Sequence, residues 1–184
     1  KELGTVRDYL TQFIPQTPFS VSPFLTAIDL FEFNFNFDKD KVPPTIIPID
    51  TNNFVKEPFF KGSTIKVKLS GNLDQDIGYF DQMIASGLKL PVVLRLDANQ
   101  GFTIENAIRF YSFLDLNKNN LPFIEYVEQP LKVSNWDGVA RLISEFPGLN
   151  TMLDESIVTK EDLYKAIELK IPFIKFKLYK QGGI

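Results

Sequence analysis

The sequence predicts an α/β fold built on a parallel sheet, and three observations carry that expectation. Short apolar runs alternate with helical patterns from residue 45 onward. Each strand–helix unit takes roughly 25–30 residues, which suits a right-handed crossover between parallel strands. Every apolar run after the first ends in an acidic or basic residue. An open doubly wound sheet and a closed (β/α)8 barrel both satisfy this pattern.

The elements follow in order. Residues 1–40 read as helical, with Leu3, Val6, Leu10 and Phe13 at helical spacing. After a break at Pro15–Pro18, Ser22-Pro23 reads as a helix start that continues from Phe24 to Phe33. Asp38–Pro44 is polar and ends in Pro-Pro, so it reads as a linker. Strands are expected at 45–49, 64–69, 91–96, 123–127, 151–153 and 173–178. Helices are expected at 73–86, 103–114, 136–145 and 159–169. Their apolar stripes are Ile77, Phe80 and Ile84; Ile104, Ala107, Ile108 and Tyr111; and Trp136, Val139, Ala140 and Ile143. Gly87 reads as a helix stop, and Thr159 with Asp162 as a capping box. Tyr79, Tyr111 and Tyr126 read as core.

Composition narrows the chemistry. The chain has 184 residues with no cysteine and no histidine. Disulfides, thiolate catalysis, serine–histidine triads and zinc–histidine sites are therefore excluded within this span. Acid–base work falls to Lys, Asp, Glu or Tyr, and a metal must be held by oxygen, which favours Mg²⁺, Mn²⁺ or Ca²⁺. A formal net charge of −3 argues against nucleic acid as a partner. No apolar run is long enough to span a membrane and the start does not read as a signal peptide, so a cytoplasmic location is expected.

The strand ends carry the functional signal. Lys66 and Lys68 close the second strand, Asp97 the third, Glu128 the fourth, Asp154 the fifth and Lys177 the sixth. The gaps from Lys68 through Asp97, Glu128 and Asp154 to Lys177 are 29, 31, 26 and 23 residues, about one strand–helix unit each. Singly, an Asp after a strand reads as a helix cap and Lys-x-Lys as a solvated edge. Those ordinary roles do not explain the order Lys, Asp, Glu, Asp, Lys at this spacing. Three converging carboxylates repel unless a cation sits among them, and Mg²⁺ suits such a set. Lys66 and Lys68 are two apart and share a strand face, so repulsion is expected to lower the pKa of one of them.

The segments Ile65–Lys68, Leu94–Gln100, Glu125–Pro130, Leu153–Ser156 and Phe176–Gly183 resemble the muconate-lactonizing-enzyme subgroup of the enolase superfamily, over about residues 18–184. The resemblance implies a (β/α)8-type barrel, partial here at about strands 1–6 within residues 41–184. It implies that residues 1–40 are the last helices of an α+β capping domain. It makes Asp97, Glu128 and Asp154 ligands of Mg²⁺, with Mn²⁺ an admissible substitute. It makes Lys68 and Lys177 acid–base residues on opposite faces of the substrate. Lys66, Asn99 and Glu155 match neighbouring positions that bind substrate or support the ligands. Two further barrel strands and a return to the cap are expected to lie outside the chain.

Enolase-superfamily sites pair a Lys or His base with Mg²⁺ to take a proton from carbon next to a carboxylate. The implied partner is a small-molecule carboxylate, and a homo-oligomer is allowed. Among the reactions sharing this site, the Leu-Arg-Leu-Asp-Ala-Asn segment favours o-succinylbenzoate synthase, a dehydratase of menaquinone biosynthesis. The Lys-Leu-Tyr-Lys-Gln-Gly-Gly ending points instead to dipeptide or N-acylamino acid epimerases and to muconate cycloisomerase. A non-catalytic homologue is the reading from another class.

Overall fold

Six strands lie side by side in the order in which they occur along the chain. They are β1 (Ile46–Asp50), β2 (Thr64–Lys68), β3 (Val93–Asp97), β4 (Phe123–Glu128), β5 (Thr151–Leu153) and β6 (Phe173–Ile174). Every neighbouring pair is parallel. A doubly wound sheet reverses its strand order at a switch point, whereas a (β/α)8 barrel does not. The unbroken order decides between the two architectures left open above, in favour of the barrel type. The structure is a computed structural model that describes residues 2–16, 18–32, 46–52, 54, 62–88, 92–177 and 180.

The chain divides into two compact units. One comprises residues 1–43, 157–163 and 175–184; the other comprises 44–156 and 164–174 and holds all six strands. In the first unit, α1 (Glu2–Thr11) and α2 (Pro18–Glu32) pack together, and Arg7 pairs with the buried Asp29. The second helix starts at Pro18, ahead of the expected Ser22-Pro23, and Pro23 lies inside it. Pro18 fits a first helical position because its missing N–H costs nothing there. Val21, Leu25 and Ile28 form one buried stripe across Pro23, so packing outweighs the single lost hydrogen bond. Val6 and Phe13 remain exposed. The expected linker at 38–44 and the Gly-Gly segment lie outside the described residues.

Helices α3 (Leu73–Ala85), α4 (Ile104–Leu116), α5 (Trp136–Glu145) and α6 (Lys160–Glu168) connect the strands. Their starts are set by polar caps. Asn72 accepts the amides of Asp74 and Gln75, Thr103 that of Asn106, and Asn135 that of Gly138. Thr159 and Asp162 form the expected reciprocal pair, at 2.8 and 3.2 Å. The buried stripes are turned slightly from those expected. They are Leu73, Tyr79, Phe80 and Met83 on α3; Ala107, Phe110, Tyr111 and Leu114 on α4; and Val139 and Leu142 on α5. Ile77, Ile84, Ile104, Ile108 and Ile143 sit half-buried at the stripe edges, because an apolar arc is wider than the part that meets the core. Tyr79, Tyr111 and Tyr126 are core residues as expected.

The sheet has two unlike faces. Ile65, Val67, Leu94, Leu96 and Val127 are fully buried on one. Lys66, Arg95, Asp97, Tyr126 and Glu128 alternate with them on the other. The sixth strand ends at Ile174 rather than 178, and among the described residues it pairs only with β5.

Candidate active site at the strand ends

Register brings the charged residues into a row. Asp50 pairs with Lys68, Lys68 with Asp97, and Asp97 with Glu128, all at the C-terminal ends of their strands. The last of these pairings needs a correction to the regular ladder. The register shifts between Leu94 and Arg95, so that Glu125 is the extra residue on β4 and Arg95 pairs with Tyr126. Such a bulge flips the side-chain alternation beyond it. Without it, Val127 would stand opposite Asp97 and the Glu128 carboxylate would lie one position further on. Arg95 marks the bulge, donating to Glu125 at 2.5 Å and lying over the Tyr126 ring. Sequence reading missed this device, because the expected strands at 91–96 and 123–127 carry no information on the register between them.

Asp97, Glu128 and Asp154 are all buried, at 4%, 2% and 2% exposure, so the charge they carry must be balanced locally. The Lys66 ammonium stands between two of them, 2.6 Å from Asp97 Oδ2 and 2.8 Å from Glu128 Oε2. Burial pulls the Lys66 pKa down, but hydrogen bonds to and the charges of Asp97 and Glu128 more than reverse this, and the net direction is up. The lowering expected from a neighbouring lysine does not occur at Lys66, because the two carboxylates hold its charge. Lys68 is exposed at its strand end.

Backbone bonds hook each strand end to the next. Leu69 N donates to Asp97 O, Ala98 N to Glu128 O and Gln129 N to Met152 O, at 2.8–3.0 Å. The Asn99 amide donates to Asp97 Oδ1 at 3.2 Å; its side chain is exposed. Gly71 and Gly101 let two of these loops touch. A Cβ on Gly101 would sit 2.9 Å from Gly71 Cα, and Gly71 has φ +79°. Asp76 accepts from Thr51 Oγ1, Ser70 N and Gly71 N, tying the loops after β1 and β2 to α3. Glu155 Oε2 is buried and has no hydrogen-bond partner among the described residues. Lys177 lies in the first unit, half-buried.

Among the described residues no three acidic side chains close on one point. The donor set nevertheless fits a hard divalent cation. Two carboxylates already converge on a single positive nitrogen, which stands in for such an ion. A third is buried just past the end of the next strand, and every donor is oxygen.

Residues 58–184 match the family model described as enolase C-terminal domain-like. The chain belongs to this family, within the enolase superfamily. It is 34% identical over 122 residues to L-Ala-D/L-Glu epimerase of Clostridium acetobutylicum, covering 66% of this chain and 33% of that protein. It is 31% identical over 157 residues to hydrophobic dipeptide epimerase of a Flavobacteria bacterium, covering 80% of this chain and 43% of that protein. Among solved structures it resembles o-succinylbenzoate synthase from Thermosynechococcus elongatus complexed with Mg in the active site, with TM-score 0.58 and 26% identity over 72% of this chain and 43% of that one. The chain thus spans less than half the length of the relatives it matches. As an enolase-superfamily member it has the parallel α/β barrel-type domain that its motifs implied. No helix of the described residues is long and apolar enough to cross a membrane.

Proposed function

We propose that the protein containing this chain is a Mg²⁺-dependent epimerase that inverts the α-carbon beside the free carboxylate of a dipeptide. The observation that carries the cation site is the convergence of Asp97 and Glu128 on the Lys66 ammonium at the ends of adjacent strands. The choice of reaction rests on similarity to dipeptide epimerases and on the Lys-Leu-Tyr-Lys-Gln-Gly-Gly ending, and it replaces the dehydration that the third strand's segment favoured.

Asp97, Glu128 and Asp154 would hold Mg²⁺, with Mn²⁺ able to replace it. When bound, the ion supplies the positive charge that stabilises negative charge developing on the substrate carboxylate. Lys68, as the neutral amine, takes the α-proton; the C–H electron pair moves into the carboxylate as an enediolate. In the sequence-derived role, Lys177 as the ammonium returns a proton to the opposite face, and the reverse reaction exchanges the two roles. One C–H bond breaks and one forms, so no oxidant or leaving group is needed. Lys66 keeps charge balance beside the ligands, and Asn99 holds Asp97 through its backbone amide.

The test is incubation of the full-length protein with Mg²⁺ and a panel of L,L-dipeptides in D₂O. Expected are α-deuterium at the C-terminal residue and its D-epimer on chiral chromatography. Dehydration of the cyclohexadiene carboxylate precursor to o-succinylbenzoate, with no exchange in any dipeptide, would return the reading to the synthase whose solved structure this chain resembles.

A further inference from the structure

The β4–β5 ladder consists of just two residue pairs, Val127 with Thr151 and Glu128 with Met152. Asp154 lies beyond the end of the three-residue β5, so the ladder alone does not hold it. A buried side chain does. Gln129 Oε1 accepts the backbone amides of Asp154 and Ser156, both at 3.0 Å. Its Nε2 donates to Leu131 O at 2.8 Å and to Ser156 Oγ at 2.7 Å. All four hydrogen-bonding positions of the amide are used, and the residue is fully buried. The amide's orientation follows from chemistry, since backbone N–H groups only donate and the Leu131 carbonyl only accepts.

The backbone of Gln129 extends the brace. Its N–H donates to Met152 O and its carbonyl accepts from Gln100 N, both at 2.8 Å, with φ at +41°. One residue therefore joins the loops that follow β3, β4 and β5. It is covalently next to Glu128 and bonded to the amide of Asp154. No other side chain could make this set. Asn is one methylene too short, ionised Glu only accepts, and Met offers no donor and only a weak acceptor.

We propose that Gln129 is a positioning residue that fixes Asp154 relative to Glu128 for cation binding. This rests on the reading of Asp97, Glu128 and Asp154 as cation ligands. A fully satisfied buried amide is stiff, and groups that orient ligands typically contribute ~10–100-fold to metal affinity.

The experiment is Mn²⁺ titration of the full-length protein, followed by the EPR signal of free Mn²⁺ well below each variant's melting temperature. Gln129→Met is expected to bind Mn²⁺ at least ~10-fold more weakly while folded. Leu142→Ala, which destabilises the same unit from α5, is expected to bind as the wild type does. Wild-type affinity in Gln129→Met, or an equal loss in Leu142→Ala, overturns the positioning role. Asp154→Asn tests the underlying reading separately: if it binds Mn²⁺ as tightly as the wild type, the ligand assignment fails, whatever Gln129 does. Should Gln129→Met not fold, Ser156→Ala removes one partner of the amide. About threefold weaker binding then supports the role, and unchanged binding overturns it.

Discussion

On strands β2 to β4, the residues at alternate positions serve opposite ends. Ile65, Val67, Leu94, Leu96 and Val127 have no exposed surface and bring only apolar area. Lys66, Arg95, Asp97, Tyr126 and Glu128, one residue away in each case, bring charge and hydrogen-bonding groups. The first set gains free energy by leaving water. The second contains buried ions that gain little from burial and must be balanced by one another. Stability and chemistry are thus separated by a single step along the strand, and substitutions on the two faces should have different signatures.

The largest expected effect is on the charged side. Lys68→Met should slow deuterium exchange into the substrate by ~10²–10⁴-fold, the usual contribution of a positioned general base. Because Lys68 is exposed, its melting temperature should stay close to that of the wild type. A comparable loss of stability would break the separation of the two faces.

The converse comes from the apolar side. Leu96→Ala should cost ~2–5 kcal/mol in denaturant unfolding, as truncation of a fully buried leucine does. The folded fraction should still bind Mn²⁺ with wild-type affinity. A weakened Mn²⁺ site in folded Leu96→Ala would show that the faces are coupled.

Lys66→Met sharpens the comparison. It removes the ammonium shared by Asp97 and Glu128, and without divalent ion it should cost ~1–2 kcal/mol, allowing for partial exposure. Added Mn²⁺ should raise the melting temperature of this variant more than that of the wild type, since a cation then restores the balance. The Lys66 pKa is raised in the folded state, so its contribution is fully present below the ordinary value of 10.5 and fades as pH rises beyond it. The stability difference between variant and wild type should shrink over that alkaline range. The smallest effect is away from both faces: Thr103→Ala removes the cap of α4 and should cost ~1 kcal/mol in thermal unfolding, with exchange activity unchanged.

Much of the architecture was legible in the sequence because it depends on local patterns. Apolar runs and capping residues such as Thr159 marked the elements to within a few residues. The exceptions have physical causes. Pro23 reads as a helix start locally, but the buried stripe of Val21, Leu25 and Ile28 carries the helix through it. The sixth strand looks longer in sequence than the two residues that pair, because an apolar run extends as a strand only where a neighbour offers hydrogen bonds, and β5 is itself three residues long.

By itself the sequence determined the order of charged residues at successive strand ends and the confinement of any metal site to oxygen ligands. Both follow from residue identity and spacing along the chain. Only the tertiary structure decided that Lys66 faces Asp97 and Glu128, that a bulge at Glu125 sets Glu128 opposite Asp97, and that Gln129 braces the loop of Asp154. These depend on register between strands distant in sequence. A one-residue slip turns every side chain beyond it to the other face, so local pattern cannot specify them.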